Sequence, residues 1–190
     1  DQSDVMLGEC ASSEVLTTHE NIYAYPYGLG LDQVARLLRC HLSAQAGWSV
    51  SATPLDRAMI SVERMRDELK EVLADPNARA IINYHRSEAH QVGGGHFSPL
   101  AAYSPSADAF LVLDVAKYKY PPVWIPARRL WESMGTFDNC GVWDYPEGQE
   151  RLVGESMRHP RTEEEREKAR TALGCRRTPR GYVVARRRRR

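Results

Sequence analysis

One histidine and one aspartate have the residue types and the placement needed for acid/base chemistry. His96 follows a run of glycines at the start of an apolar segment, and Asp114 lies within the next apolar segment along the chain. A carboxylate that accepts a hydrogen bond from one imidazole nitrogen leaves the other nitrogen free to move protons. The two residues are therefore a candidate general base and its orienting carboxylate.

The segments that hold these two residues predict a β-hairpin. Residues 97–103 and 110–116 are strand-like, and residues 104–108 between them have the composition of a turn. If the hairpin is centred near residue 106, Asp114 is a diagonal neighbour of His96 on the same face. A register shift of one residue would move Asp114 to the other face. By spacing alone, separate structural roles, with hydrogen bonds to backbone groups, are the commoner arrangement.

The rest of the chain predicts the elements that must position this hairpin. Apolar spacing indicates helices over residues 31–42 and 61–74, and Pro126 is expected to open a third, short helix at its first position. Further expected elements are a strand over 80–84, an extended loop over 120–124 and a last strand over 181–185. With helices first and an antiparallel sheet afterwards, the expected fold class is α+β.

The charge is distributed unevenly along the 190 residues. Residues 1–150 hold 12 Lys and Arg against 20 Asp and Glu, whereas residues 151–190 hold 14 against 5, which gives −8 and +9 and the net charge of +1. The five arginines of 186–190 have no interleaved aromatic residue, so we expect a solvated terminus and no specific nucleic-acid binding. No apolar run approaches the roughly 18 residues of a membrane span.

The four cysteines, Cys10, Cys40, Cys140 and Cys175, form neither a Cys-x-x-Cys pair nor a dense framework. We therefore expect reduced, mostly buried thiols. No zinc or calcium ligand pattern is present, so no protein metal site is predicted. No signal peptide is visible. The chain opens at Asp1 without a methionine, which suggests a processed chain or a fragment.

Several separate stretches, in order, resemble the phytochelatin synthase family. The likeness covers residues 79–138 well and 1–78 loosely, and residues 180–183 are similar to the family's last core strand. The stretches that carry it are Asn83-Tyr84-His85-Arg86, Gly94-Gly95-His96-Phe97-Ser98-Pro99-Leu100, the run from Leu113 to Trp124, and Leu130-Trp131-Glu132-Ser133-Met134.

The resemblance implies a papain-like cysteine-peptidase fold and a γ-glutamylcysteine dipeptidyl transferase, which makes phytochelatins from glutathione through a cysteine thioester for heavy-metal detoxification. His96 would be the base and Asp114 its orienting carboxylate. The implied substrate-binding residues are Arg86, at an exposed basic position of the family, Gly95, Lys117, where the family usually has arginine, and Tyr120. Partners would be glutathione and phytochelatins in the cytoplasm, and a homodimer is compatible with the family.

The resemblance also implies metal dependence without a tightly bound cofactor. Soft thiolates favour cadmium, zinc or copper(I). The metal would therefore act as an activator in the form of a metal–glutathione thiolate, with no ligand from the protein.

The nucleophile is where the chain departs from the family. The family's catalytic cysteine precedes a glycine well upstream of the matched stretches, and this chain has no Cys-Gly pair before residue 79; its one Cys-Gly pair, Cys140-Gly141, follows them. Cys10 is only faintly similar, so we expect the nucleophile to be absent, the chain to be N-terminally incomplete, and the chain alone to be inactive. Alternatives are a catalytically dead glutathione-binding subunit and a papain-like peptidase that hydrolyses glutathione conjugates. The expected division is 1–140 catalytic domain, 141–178 charged insertion, 179–185 last core strand and 186–190 arginine tail.

Overall fold

An antiparallel sheet forms the centre of the molecule. The computed structural model describes residues 9–10, 29–43, 47–116, 118–138 and 178–187. Its helices are α1 (Leu31–Ser43), α2 (Val62–Ala74) and α3 (Ala127–Met134), and its strands are β1 (Trp48–Pro54), β2 (Ala78–His85), β3 (Gly95–Ser104), β4 (Ala109–Val112), β5 (Val123–Pro126), β6 (Phe137–Asp138), β7 (Thr178–Pro179) and β8 (Gly181–Arg187). The six-stranded sheet has the order β1-β8-β2-β3-β4-β5. Every neighbouring pair in it is antiparallel, and β6 and β7 pair separately. The α+β class is thus confirmed.

Helices cover both faces of the sheet. On one face, Leu31 and Ala35 of α1 pack against Val183 of β8. On the other face, α2 and α3 enclose the main core, in which Met65 and Leu130 have no exposed surface. Because successive strand residues point to opposite faces, each strand supplies both layers with apolar side chains.

The two predicted helices before the hairpin are present with nearly the predicted bounds. Helix α2 begins after Ser61, whose hydroxyl accepts the backbone N–H of Arg64 at 3.3 Å. Such an N-cap satisfies one of the backbone donors that the first turn leaves unpaired. The apolar spacing and the cap together fix where this helix begins.

The order of the elements differs from the prediction. Strand β1 lies between α1 and α2, so the expectation of helices first and a sheet afterwards is wrong. Its apolar residues Trp48, Val50 and Ala52 alternate with serine, a period of two that predicts a strand with one buried face. In the sheet β8 separates β1 from β2, so the last strand of the chain joins its first strands.

Two further elements differ near Pro126. Strand β5 ends at Pro126, where a loop over 120–124 was expected to lead into a helix, and the proline is the N-cap of α3 rather than its first residue. Strand β5 lies at the edge of the sheet, where proline is tolerated because one row of backbone groups needs no partner strand. The second hairpin strand, expected to reach residue 116, ends at Val112.

The expectation of reduced cysteines is wrong for two of the four. Cys10 and Cys40 form a disulfide that joins positions 30 residues apart. Cys10 also packs against Leu37 of α1 and Leu29. Cys140 and Cys175 lie outside the described residues, as does nearly all of the expected 141–178 insertion.

The last strand is longer than predicted. Strand β8 continues through Arg186 and Arg187, and the N–H of Arg187 donates to the carbonyl of Asn77 at 2.8 Å. Arg186 lies 3.7 Å from carboxylate oxygens of Glu71 and Asp75. The first two arginines of the terminal run are therefore part of the sheet, and residues 188–190 lie outside the described residues.

Candidate active site

Strand β3 holds His96 as its second residue. His96 pairs in register with Tyr84 of β2, and the Tyr84 ring meets the imidazole edge-on with centroids 6.1 Å apart. The next residue, Phe97, packs on the face covered by α1, so the imidazole lies on the opposite face. About 20% of the His96 side chain is exposed, which leaves it both packed in place and open to a reactant.

A β-bulge sets the register between His96 and the following strand. Strands β3 and β4 pair Ala102 with Leu111 but Leu100 with Val112, so Ala101 is an extra residue in β3. A bulge of this kind shifts the pairing by one position. Without the shift, the side chains of the residues after Val112 would lie on the opposite face of the sheet.

Asp114 lies two residues beyond the end of β4, yet it reaches the histidine. Its Oδ1 atom is 3.0 Å from Nε2 of His96, so the two side chains make the contact that a hairpin centred near residue 106 allows. The same oxygen accepts the backbone N–H of Ala116 at 2.8 Å, which turns the chain back just after the carboxylate. The Asp114 side chain has no exposed surface.

Burial and charge favour the neutral form of His96. Desolvation lowers its pKa from the usual value, and the positive charge of Arg86 lowers it further. The Asp114 carboxylate acts in the opposite direction without overcoming burial, and Lys119 adds a small lowering. Since a carboxylate only accepts hydrogen bonds, the proton of the neutral ring lies on Nε2 and Nδ1 keeps its lone pair. The arrangement can therefore accept a proton at Nδ1.

Arg86 is the second partner of the carboxylate. The Nη2 atom of Arg86 donates to both oxygens of Asp114, at 2.8 and 2.6 Å. Only 7% of the arginine side chain is exposed. The expectation of an exposed basic position is therefore wrong for Arg86, because the buried carboxylate draws the guanidinium inward.

The hydroxyl of Tyr120 is also hydrogen-bonded within the protein. Its hydroxyl accepts the N–H of Val92 at 2.6 Å and donates to the carbonyl of the same residue at 3.2 Å. The Arg86 guanidinium carbon lies 5.1 Å from the centre of the Tyr120 ring, a cation–π contact. Lys117, the other substrate-binding candidate on this loop, lies outside the described residues.

Gly95 lies beside a second charged cluster. A Cβ atom at this position would come within 2.6 Å of Nη2 of Arg180 and 3.2 Å of Oδ1 of Asp138, so only glycine fits without a shift. The Arg180 side chain is 1% exposed and its Nη2 lies 3.0 Å from Asp138 Oδ1. The other oxygen of Asp138 accepts from the amide of Asn83 at 2.6 Å.

Sequence reasoning missed this cluster. Arg180 also donates to the hydroxyl of Thr136 at 2.9 Å and to the carbonyl of Phe137. The available signal was a charged residue directly before an apolar strand, since such a residue is buried only when it is paired. The cluster joins β2, β6 and the residue directly before β8, at the end of the sheet where His96 lies.

Cys10 offers no thiol beside the His96–Asp114 pair. Its sulfur is bonded to Cys40 of α1, which packs on the face of the sheet opposite the imidazole. Within the described ranges, no three His, Cys, Asp or Glu side chains come together as metal ligands. Among the described helices, none is both long and apolar enough to cross a membrane.

Comparisons with known proteins identify the family of the chain. The family described as phytochelatin synthase matches residues 3–142. Glutathione gamma-glutamylcysteinyltransferase 3 of Lotus japonicus is 38% identical over 113 residues, which are 60% of this chain and 22% of that protein. Glutathione gamma-glutamylcysteinyltransferase 1 of Triticum aestivum is 36% identical over 113 residues, 60% of this chain and 21% of that protein.

A relative outside plants matches a shorter segment. Glutathione gamma-glutamylcysteinyltransferase of Schizosaccharomyces pombe is 34% identical over 81 residues, which are 43% of this chain and 20% of that protein. The chain thus spans about a fifth of the length of these curated relatives. Because the family match covers well over half of its residues, the chain belongs to the phytochelatin synthase family.

Proposed function

We propose that this chain provides the acid/base half of a γ-glutamylcysteine dipeptidyl transferase with a papain-like fold. The observation that carries the proposal is the buried Asp114 carboxylate, 3.0 Å from Nε2 of His96, which leaves Nδ1 of a neutral imidazole as the base. Membership of the family supplies the reaction class. An antiparallel sheet that presents a histidine and a carboxylate is consistent with the proposed fold.

His96 would serve in both halves of the transfer. His96 takes the proton of a cysteine thiol, the resulting thiolate attacks the carbonyl of the Cys–Gly bond of glutathione, and protonated His96 gives that proton to the departing glycine amine. The amine of a second glutathione then attacks the thioester, His96 takes up its proton, and the thiolate leaves. Metal enters as substrate, in a cadmium, zinc or copper thiolate complex of the accepting glutathione.

The described residues do not include a cysteine thiolate that could act as the nucleophile. Cys10 is bonded to Cys40, and a sulfur in a disulfide is not a nucleophile. We therefore expect the purified chain alone to release no glycine from glutathione. A cytoplasmic location is part of the proposal, and because thiols there work against disulfides, oxidised and reduced protein are assayed side by side.

The first experiment uses the purified chain with glutathione and cadmium or zinc. Mass spectrometry follows free glycine and glutathione lengthened by γ-glutamylcysteine. The expected result is no product from oxidised or reduced protein. Product that forms after reduction, and that Cys10→Ser abolishes while Cys40→Ser does not, would make Cys10 the nucleophile and overturn this part of the proposal.

A second experiment tests His96 in an active protein. The matched segment of the Arabidopsis thaliana relative, glutathione gamma-glutamylcysteinyltransferase 1, is replaced by that of this chain; the two are 34% identical over 111 residues. We expect the chimera to lengthen glutathione and His96→Asn to lower the rate by about a hundredfold or more. His85→Asn, one strand away and bonded to Ser87, is the matched control. Equal rates for the two variants would remove His96 from the mechanism.

The disulfide favours one alternative, a glutathione-binding module without chemistry. In that case calorimetry would detect glutathione binding to this chain, and the chimera would give no product although it folds. Glycine release by the chimera without lengthened peptide would instead indicate hydrolysis. The same two measurements therefore separate transfer, binding and hydrolysis.

A further inference from the structure

The carboxylate beside His96 is more heavily bonded than a simple base and carboxylate pair requires. Asp114 accepts from Nη2 of Arg86 at both oxygens, from Nε2 of His96, and from the backbone of Ala116. A fully buried carboxylate needs a compensating cation. Because burial favours the neutral form of His96, Arg86 is the cation that compensates Asp114 among its described contacts.

Arg86 is itself held by the loop that leads into His96. Its backbone N–H donates to the carbonyl of Gly94 at 3.0 Å, and its side chain lies over the ring of Tyr120. The Tyr120 hydroxyl forms hydrogen bonds with both the N–H and the carbonyl of Val92. The loop between β2 and β3, the guanidinium and the carboxylate therefore form one connected unit that ends at the imidazole.

These contacts leave Arg86 little capacity for a ligand. The side chain is 7% exposed, and the nitrogen that reaches Asp114 is bonded to both oxygens. Among the described residues of the loop after β4, Lys119 is an exposed cation, and its Nζ lies 5.8 Å from the centre of the Tyr120 ring. Arg86 is therefore a buried cation bonded to Asp114, whereas Lys119 is an exposed one.

We propose that Arg86 is a positioning residue, which holds the Asp114 carboxylate aimed at Nε2 of His96 so that Nδ1 faces the reactants. The catalytic meaning of this role depends on the proposed function. The positioning itself does not, because it concerns the protonation and tautomer of His96 in the free chain. It can therefore be tested in a protein that catalyses nothing.

The test is a histidine titration by NMR on the whole chain, with His96 assigned from His96→Gln. Among the described residues, the charged groups that act on the imidazole are Arg86, Asp114 and Lys119, and the titratable Tyr84 packs against its edge. Arg86→Gln removes a cation, so we expect the titration midpoint of His96 to rise by about one pH unit. Ring nitrogen shifts should change from the Nε2–H tautomer to a mixture. Arg86→Lys keeps the charge and should restore most of both properties.

The matched control is Arg79→Gln, on the same strand. Arg79 is exposed and donates to the carbonyls of Pro76 and Ala78, so the titration of His96 should not change. An unchanged midpoint and tautomer in Arg86→Gln would overturn the proposal. So would a midpoint in Arg86→Lys that rises as far as in Arg86→Gln.

A second comparison covers the case in which Arg86→Gln does not fold. Asp114→Asn combined with Arg86→Gln leaves no buried charge unpaired and should fold where the single variant fails. If the double variant is as unstable as Arg86→Gln, Arg86 supports the fold by other contacts and the proposal is wrong. Loss of chimera activity with an unchanged His96 titration would contradict this role while leaving the proposed function standing.

Discussion

His96 and Asp114 meet although Asp114 lies beyond the strand that was expected to hold it. Oδ1 of Asp114 is 3.0 Å from Nε2 of His96, while β4 ends two residues earlier, at Val112. The carboxylate is placed by its own hydrogen bonds to Arg86 and Ala116 rather than by strand pairing. Removal of the Asp114 carboxylate should therefore disturb a buried hydrogen-bond network as well as the orientation of His96.

Asp114→Asn is expected to destabilise the fold as well as remove the orienting carboxylate. The substitution leaves the Arg86 guanidinium buried without its anion, and breaking a buried ion pair costs about 3 kcal/mol or more. Urea unfolding followed by circular dichroism measures the loss. Asp67→Asn, on an aspartate whose side chain is 73% exposed and pairs with Lys70 at 3.5 Å, should change stability by less than about 0.5 kcal/mol. Equal losses in the two variants would contradict the account.

The sequence allowed this contact, but it did not show how the contact is reached. Turn composition and strand-like segments suggested that His96 and Asp114 share a face. The hairpin pairs Ser104 with Ala109, and regular pairing from that turn would have put Asp114 on the other face. The extra residue, Ala101, restores the shared face. A bulge has no sequence signal of its own, because its residue is an ordinary alanine.

Other differences have equally local causes. Strand β5 was hidden by the prolines around it, since proline predicts loops unless the strand is known to be an edge. The burial of Arg86 depends on a partner 28 positions away, which no local pattern reports. The disulfide likewise joins cysteines whose spacing gave no motif. What could be predicted was periodic or adjacent in the chain, and what could not depends on distant partners.

The stability of the chain should fall on acidification through the titration of His96. Its pKa in the folded state lies below the usual value, mainly because of burial, so the unfolded chain binds a proton more readily. Stability is then highest above the ordinary histidine pKa, near 6.5, and decreases as the pH falls below it. Melting temperatures between pH 5 and 8 should show a steeper acid loss for the wild type than for His96→Gln. Parallel curves would contradict the depressed pKa.

Gly95→Ala should disturb the Arg180 cluster rather than the backbone of β3. The new Cβ would lie 2.6 Å from Nη2 of Arg180, which forces the guanidinium away from Asp138. Overpacking of this kind typically costs about 1–3 kcal/mol. Chemical denaturation should show that loss. Arg180→Lys, with a smaller head group, should make the added cost of Gly95→Ala smaller, and full additivity of the two substitutions would contradict the predicted collision.

The Cys10–Cys40 disulfide should be a measurable part of the stability of the oxidised chain. It closes a loop between positions 30 apart, and a cross-link of that size stabilises a fold by about 2–4 kcal/mol through the unfolded state. Cys10→Ser and Cys40→Ser should each lower the unfolding midpoint by the same amount, and the double variant should lose no more than either single one, because all three remove the same bond. Reductant should bring the wild type down to the level of these variants and leave the variants unchanged. If reductant does not alter the wild-type midpoint, or if the single losses add, the two cysteines act separately and Cys10 is again available as a thiol.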